Sequence, residues 1–212
     1  MRSGSWLIGA VALAVAATAG VLGVGLAASH STSAPSAHLM GPGMMGGGSD
    51  VPGSASVRLV PAEHMQSLDT AAASSVSRRA STLTYSTRQV TLVALGAPGN
   101  RPGMFWQIDG VNSPTVSIPA GATVTVEFAD GDPGQTHGFE LTTAAPPYPR
   151  MAMMDGYIAA PGAFIMPVPP PEGDLWYSAI TRFPAPTPGT YYIICPVPGH
   201  AQQGMWVRFI VR

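Results

Sequence analysis

Cys195, His200 and Met205 stand five positions apart in GTYYIICPVPGHAQQGMWVRFIVR, residues 189–212. A thiol, an imidazole and a thioether in that order are metal donors of graded softness. The strand-like run TYYII ends at Cys195, and a loop with Pro196, Pro198 and Gly199 carries His200. Met205 opens the next apolar stretch. Thiolate and thioether suit Cu(I), and imidazole suits Cu(II). Two imidazoles and a thiolate with a weak axial thioether form a type 1 (blue) copper site. A short loop stiffened by proline can hold three such ligands with little movement between oxidation states. The missing imidazole must come from elsewhere, and His137 in GDPGQTHGFEL is the candidate. It follows an Asp-Pro-Gly turn and opens a strand that can lie beside the Cys195 strand.

Singly, each of these residues has a plainer reading. A buried cysteine usually packs as a small hydrophobe, a loop histidine is usually solvated, and a methionine at a strand start is usually core. Their order and spacing favour ligation of one copper per chain by His137, Cys195, His200 and Met205. Competing chemistries need residues the chain lacks. It has one cysteine and five histidines. A structural zinc site usually needs more Cys or His at paired spacing, a binuclear copper centre needs two bridging cysteines, and a multicopper oxidase needs many more histidines. Cysteine–histidine nucleophilic catalysis is disfavoured by the proline-rich strand end and the ligand-spaced methionine. The chain therefore reads as a carrier, not an enzyme.

The elements that must position these residues are β-strands. Gly and Pro supply 25 and 22 of 212 residues, which favours turns and short strands over long helices. From Thr82 onward, strand-like runs cover 84–95, 104–109, 115–119, 122–129, 138–142, 175–181, 190–195 and 205–212. A Pro- and Met-rich connection spans roughly 144–173. Short strands punctuated by Gly and Pro imply an antiparallel sandwich or barrel. One helical stretch precedes them, at 61–80, with Val60, His64, Leu68 and Ala72 at helical spacing and Pro61 at a first helical position. His64 and Met65 on that helix read as packing or solvent-facing residues rather than ligands.

Only 10% of residues are charged, the net charge is −1, and every basic residue is arginine. No basic patch points to nucleic acid. Few carboxylates also means few ion pairs to lose in acid, so acid tolerance is expected. Residues 6–29 carry no charge and follow Arg2. They are longer than an ordinary signal core and long enough to span a bilayer. Two readings stay open, a cleaved signal peptide and an uncleaved membrane anchor, and both export the rest of the chain. Residues 30–56 read as a flexible Gly/Met/Ser/Pro linker. Its HLMGPGMMGGG run (38–48) also admits a copper-capturing arm, which leaves copper trafficking or storage as an alternative function. The domain proper spans 57–212.

TYSTRQVTLVA, NSPTVSIPAGATVTVEF, APPYP and PGTYYIICPVPGHAQQGM occur in this order and resemble rusticyanin-type cupredoxins. The helical 61–80 region resembles their N-terminal extension, and the GHAQQGMW run and N-terminal anchor also suit sulfocyanins. The resemblance implies an all-β, Greek-key cupredoxin sandwich with a short N-terminal helical extension. It implies a monomeric, high-potential electron carrier outside the cytoplasm, exchanging electrons with a c-type cytochrome and a terminal oxidase. It places the ligand roles on His137, Cys195, His200 and Met205. One departure stands out: Gly138 occupies a position where rusticyanins carry serine. Phe139, Trp206, Met104, Phe105, Met166 and Pro196 are candidates for an apolar surround of the metal, or for ordinary sandwich core. The Tyr191–Tyr192 pair reads as strand packing.

Overall fold

A computed structural model describes residues 56–99, 101 and 103–212. The apolar segment at 6–29 and all but the last residue of the 30–56 linker lie outside the described residues, and so do the expectations placed on them.

The chain enters through β1 (Arg58–Pro61) and helix α1 (Ala62–Ser75). There follow β2 (Ser77–Arg79), β3 (Thr82–Thr84), β4 (Gln89–Gly96), β5 (Trp106–Ile108), β6 (Val111–Asn112), β7 (Thr115–Ile118) and β8 (Thr123–Asp130). The second half carries β9 (His137–Thr142), β10 (Phe164–Val168), β11 (Leu175–Pro184), β12 (Gly189–Ile194) and β13 (Trp206–Val211). Two sheets result. One runs β1-β11-β8-β4-β5-β6 and the other β10-β9-β12-β13-β7-β3-β2.

Period-2 alternation builds the space between the sheets. On β8, Val124, Val126 and Phe128 point inward, and on β4, Val90, Leu92 and Ala94 do. On β9 and β12 the inward residues include Phe139, Leu141 and Ile193. Trp106 meets Phe128 and Phe139 edge-on at 6.0 and 6.2 Å between centroids. Each fully buried side chain of this size contributes about 1.5–3 kcal/mol. The outer faces are also covered. Met65 of α1 packs with Val93, Leu95, Ala129 and Trp176. Ala144, Tyr148 and Ala152 from the long connection pack with Ile194 and Ala201. His64 is exposed.

Three expectations are corrected. The helix ends at Ser75, not near 80. Ser74 and Ser75 hydroxyls donate back to the Ala71 and Ala72 carbonyls, and Val76 is already extended. Pairing of β2 with β3 then overrides local helix propensity. The sandwich is not purely antiparallel, since β4 runs parallel to β8, and β7 parallel to both β13 and β3. Alternation reports which face a residue takes, and it is blind to the direction of the neighbouring strand. Finally, the 144–173 connection contains β10, which pairs with β9 across a register shift between Ile165 and Val168. Prolines inside and around FIMPV hide that edge strand from a pattern reading.

Candidate metal centre

His137 is the first residue of β9, and Cys195 directly follows β12. The two strands pair antiparallel, with Ile194 opposite Glu140, so the start of β9 and the end of β12 share one end of the sandwich. Cys195 continues the inward series set by Ile193 and is fully buried. His200 reaches the same point from the following loop. The Cys195 Sγ lies 3.4 Å from His200 Nδ1 and 3.7 Å from His137 Nδ1, and the two Nδ1 atoms are 3.2 Å apart. His137 and Cys195 are both 0% exposed and His200 only 5%. Among the described residues, this is the group of three whose donor atoms converge tightly enough for one ion.

The loop that delivers His200 is held mainly by its own backbone. His200 N–H donates to Val197 O, Gln203 N–H to Gly199 O, and Gly204 N–H to Ala201 O. Met205 N–H donates to His200 O at 3.0 Å, and Cys195 N–H donates to Met205 O at 3.2 Å. Met205 is fully buried in the main core and is tied by backbone bonds to both neighbouring candidates.

His137 is held by side chains of the turn before it and by neighbouring strands. Its N–H donates to Asp130 Oδ2 at 2.9 Å, and Asp132 N–H donates to Asp130 Oδ1 at 3.0 Å. Its ring Nε2 lies 3.2 Å from Asp132 Oδ2. Gly96 at the end of β4 lies against the imidazole: a Cβ there would come within 2.9 Å of His137 Cβ and 3.1 Å of its Cγ. Gly138 has a matching reason. A Cβ at that position would meet Ile165 O and Pro167 N, both at 2.8 Å. β10 thus approaches β9 too closely for the serine of the family pattern, and the departure at Gly138 is a packing requirement of this backbone. Asp130, Asp132 and Gly96 escaped the sequence reading. The FADGDPG run looks like an ordinary turn, and a glycine closing a strand has many uses.

Electrostatics favour uncharged side chains in the metal-free pocket. Burial holds the His137 imidazole below its usual range, opposed by Asp132. Burial, reinforced by His137, lowers His200 to about 4. Burial pushes the Cys195 thiol up to about 11. The Asp132 carboxylate can only accept from Nε2, so His137 carries its proton there and turns a lone pair on Nδ1 inward. Two imidazole nitrogens and a thiol sulfur thus crowd one dry point with too few protons to pair them all. A single cation satisfies them together, and its charge would convert the thiol to thiolate. The donor set fits copper.

The candidate apolar surround divides. Phe139 is sandwich core, beside Trp106 and Phe183. Trp206 packs edge-on against Tyr148 and Tyr192 on the outer face. Phe105 is buried beneath the Arg101 guanidinium, and Met104 packs partly buried against the core. Met166 is 67% exposed, which corrects its placement in a dry shell. It lines an apolar surface groove with Thr136, Met153, Pro167, Pro196 and Pro198, directly over the Cys195–His200 loop. The Tyr191 hydroxyl donates to Thr187 O at 2.9 Å, in keeping with strand packing.

Comparison with known proteins agrees with this architecture. The Sulfocyanin (SoxE) domain model matches residues 177–212. Rusticyanin of Acidithiobacillus ferridurans is 39% identical over 131 residues, covering 62% of this chain and 67% of the relative. The structure of rusticyanin from Thiobacillus ferrooxidans superposes with a TM-score of 0.64 at 30% identity, covering 76% of this chain and 99% of that one. Another structure, described as that of the copper protein rusticyanin, gives 0.63 at 30% identity, covering 74% and 98%. With its two-sheet sandwich, its helical extension and this degree of identity, the chain belongs to the rusticyanin family of cupredoxins.

Proposed function

We propose that this protein is a mononuclear type 1 copper electron carrier, with His137, Cys195, His200 and Met205 as ligands. One observation carries the reading: Cys195 Sγ and the two histidine Nδ1 atoms converge within 3.7 Å of one another in a buried pocket. The rusticyanin relative described as a copper protein supports it. Copper bound there would supply one-electron chemistry by alternating between Cu(II) and Cu(I).

The remaining work falls to the chain. Cys195 gives up its thiol proton to serve as thiolate, and His137 and His200 offer inward lone pairs. Met205, buried at the base of the loop, would supply a soft thioether donor. The loop's backbone bonds and the Asp130 bracket fix the ligands beforehand, so little need move when an electron arrives or leaves. Burial of all four candidate ligands excludes water and disfavours the more highly charged oxidised state, which supports a high potential. His200, the most exposed of the donors, is the exit toward the surface. The apolar groove of Met153, Met166, Pro196 and Pro198 beside it suits docking of a redox protein, such as a c-type cytochrome or a terminal oxidase. The charge-free segment at 6–29 behind Arg2 supports a place outside the cytoplasm in a respiratory chain, and the protein acts as a carrier rather than an enzyme.

The test is Cu(II) loading followed by visible spectroscopy. The parent protein should develop the intense blue thiolate-to-copper band, and Cys195→Ser should abolish it while the fold is retained. A folded parent without that band would refute the type 1 assignment.

A further inference from the structure

The Asp132 carboxylate is unlike the other contacts around the centre, because it brings a formal negative charge to the back of one imidazole. We propose that Asp132 is a positioning residue that locks His137 with Nδ1 inward and holds the reduction potential below the value that burial alone would set. The proposal rests on the copper reading above and adds a residue that neither composition nor motif suggests.

The geometry supports it in three steps. First, Asp132 is itself fixed. Its Oδ1 accepts from Gly134 N–H at 2.7 Å, and its own N–H donates to Asp130 Oδ1. Its free oxygen, Oδ2, is therefore aimed and not swinging when it meets His137 Nε2 at 3.2 Å. Second, the same Asp130 carboxylate that anchors Asp132 also takes the His137 N–H. Backbone and ring of His137 are thus gripped from the end of β8 and the short loop that follows it. Third, a carboxylate that accepts from the remote nitrogen makes an imidazole a stronger donor through its other nitrogen. A stronger donor favours the oxidised metal over the reduced one, so the potential falls. The Asp132 side chain keeps 19% of its surface exposed, so solvent screens part of its charge and moderates the effect.

A turn residue with no role at the metal would need only the Gly134 contact. The two roles separate in Asp132→Asn, which removes the charge and leaves one oxygen to serve two contacts. Asp174→Asn, which removes the same charge beside the start of α1, is the control. Voltammetry of the copper-loaded proteins should show Asp132→Asn shifted upward. The expected shift is roughly tenfold in the ratio of Cu(II) to Cu(I) affinity, or about 59 mV for one electron. The blue band should persist, and Asp174→Asn should stay at the parent value. A potential in Asp132→Asn equal to that of the control, or below it, overturns the proposal while leaving the copper reading intact. A parent with no blue band would instead overturn the copper reading. If Asp132→Asn fails to fold or to take up copper, 15N NMR of the metal-free parent decides. A His137 proton on Nε2 supports the proposal, and a proton on Nδ1 overturns it.

Discussion

The two regions that supply the centre are built on opposite plans. From Pro196 to Met205 the chain largely holds itself. Most of its bonds join residues a few positions apart, with Gly199 N–H to Arg150 O at 2.7 Å as one long-range tie; it contains no carboxylate, and three candidate ligands fall within eleven residues, 195–205. His137 depends on residues from four other places: Asp130 at the end of β8, Asp132 in the following loop, Gly96 on β4, and β10 packed against Gly138. A self-contained loop tolerates change in its side chains because its backbone does the holding. A bracket assembled from several elements fails when any one part fails.

The sharpest break should come at Asp130. Its carboxylate is fully buried and accepts two backbone N–H groups, those of Asp132 and His137. Asp130→Ala leaves both donors without partners, and each such group costs about 1–3 kcal/mol. We expect a loss of roughly 2–5 kcal/mol in urea unfolding of the metal-free protein, together with loss of the blue band at ordinary copper concentrations. A stable variant that keeps the band would show that His137 needs no bracket.

A second difference is pH. β9 carries Glu140 on its outer face, 1% exposed, with Oε1 lacking any partner. Burial pushes its pKa from 4.5 up to about 7, opposed by a hydrogen bond from Thr142. The folded state therefore prefers the neutral acid more strongly than the unfolded chain does. That contribution to stability is fully present below about 4.5 and is lost as pH rises through about 7. The parent should gain on Glu140→Gln as pH falls from about 8 to 4, by on the order of 3 kcal/mol at about 1.4 kcal/mol per pH unit. Taking the difference between the two proteins cancels the histidines, which act in the opposite direction in the metal-free state. A pH-independent difference would show Glu140 to be ionised in the fold. Acid tolerance then has a source beyond a small number of carboxylates, since the buried ones are more stable in acid.

The contrast between the regions also explains what the sequence disclosed. Cys195, His200 and Met205 were legible because their relation is local and short spacing preserves it. His137 was reachable because a turn and a strand start mark it. Its supports were not, because Asp130 and Asp132 look like turn residues until β8 and β9 are placed, and Gly96 acts across the sandwich. The same limit governed the fold. The runs punctuated by Gly and Pro located β4, β8 and β12, while parallel neighbours and the proline-bearing edge strand β10 depend on long-range pairing. α1 stopped short of its periodic pattern because β2 found a partner in β3.

The mildest prediction concerns the self-held loop. Gln203 is the residue there whose side chain adds a bond, from Nε2 to Gly199 O at 3.1 Å. Its own N–H also reaches Gly199 O, at 3.0 Å, so the carbonyl keeps a partner when the side chain is removed. The amide is partly exposed, and water can replace what it loses. Gln203→Ala should therefore cost about 0.5–1 kcal/mol, with the blue band and the potential close to those of the parent. A potential displaced as far as that of Asp132→Asn would mean that the loop leans on its side chains as much as His137 leans on Asp132, and the division between the two regions would fall.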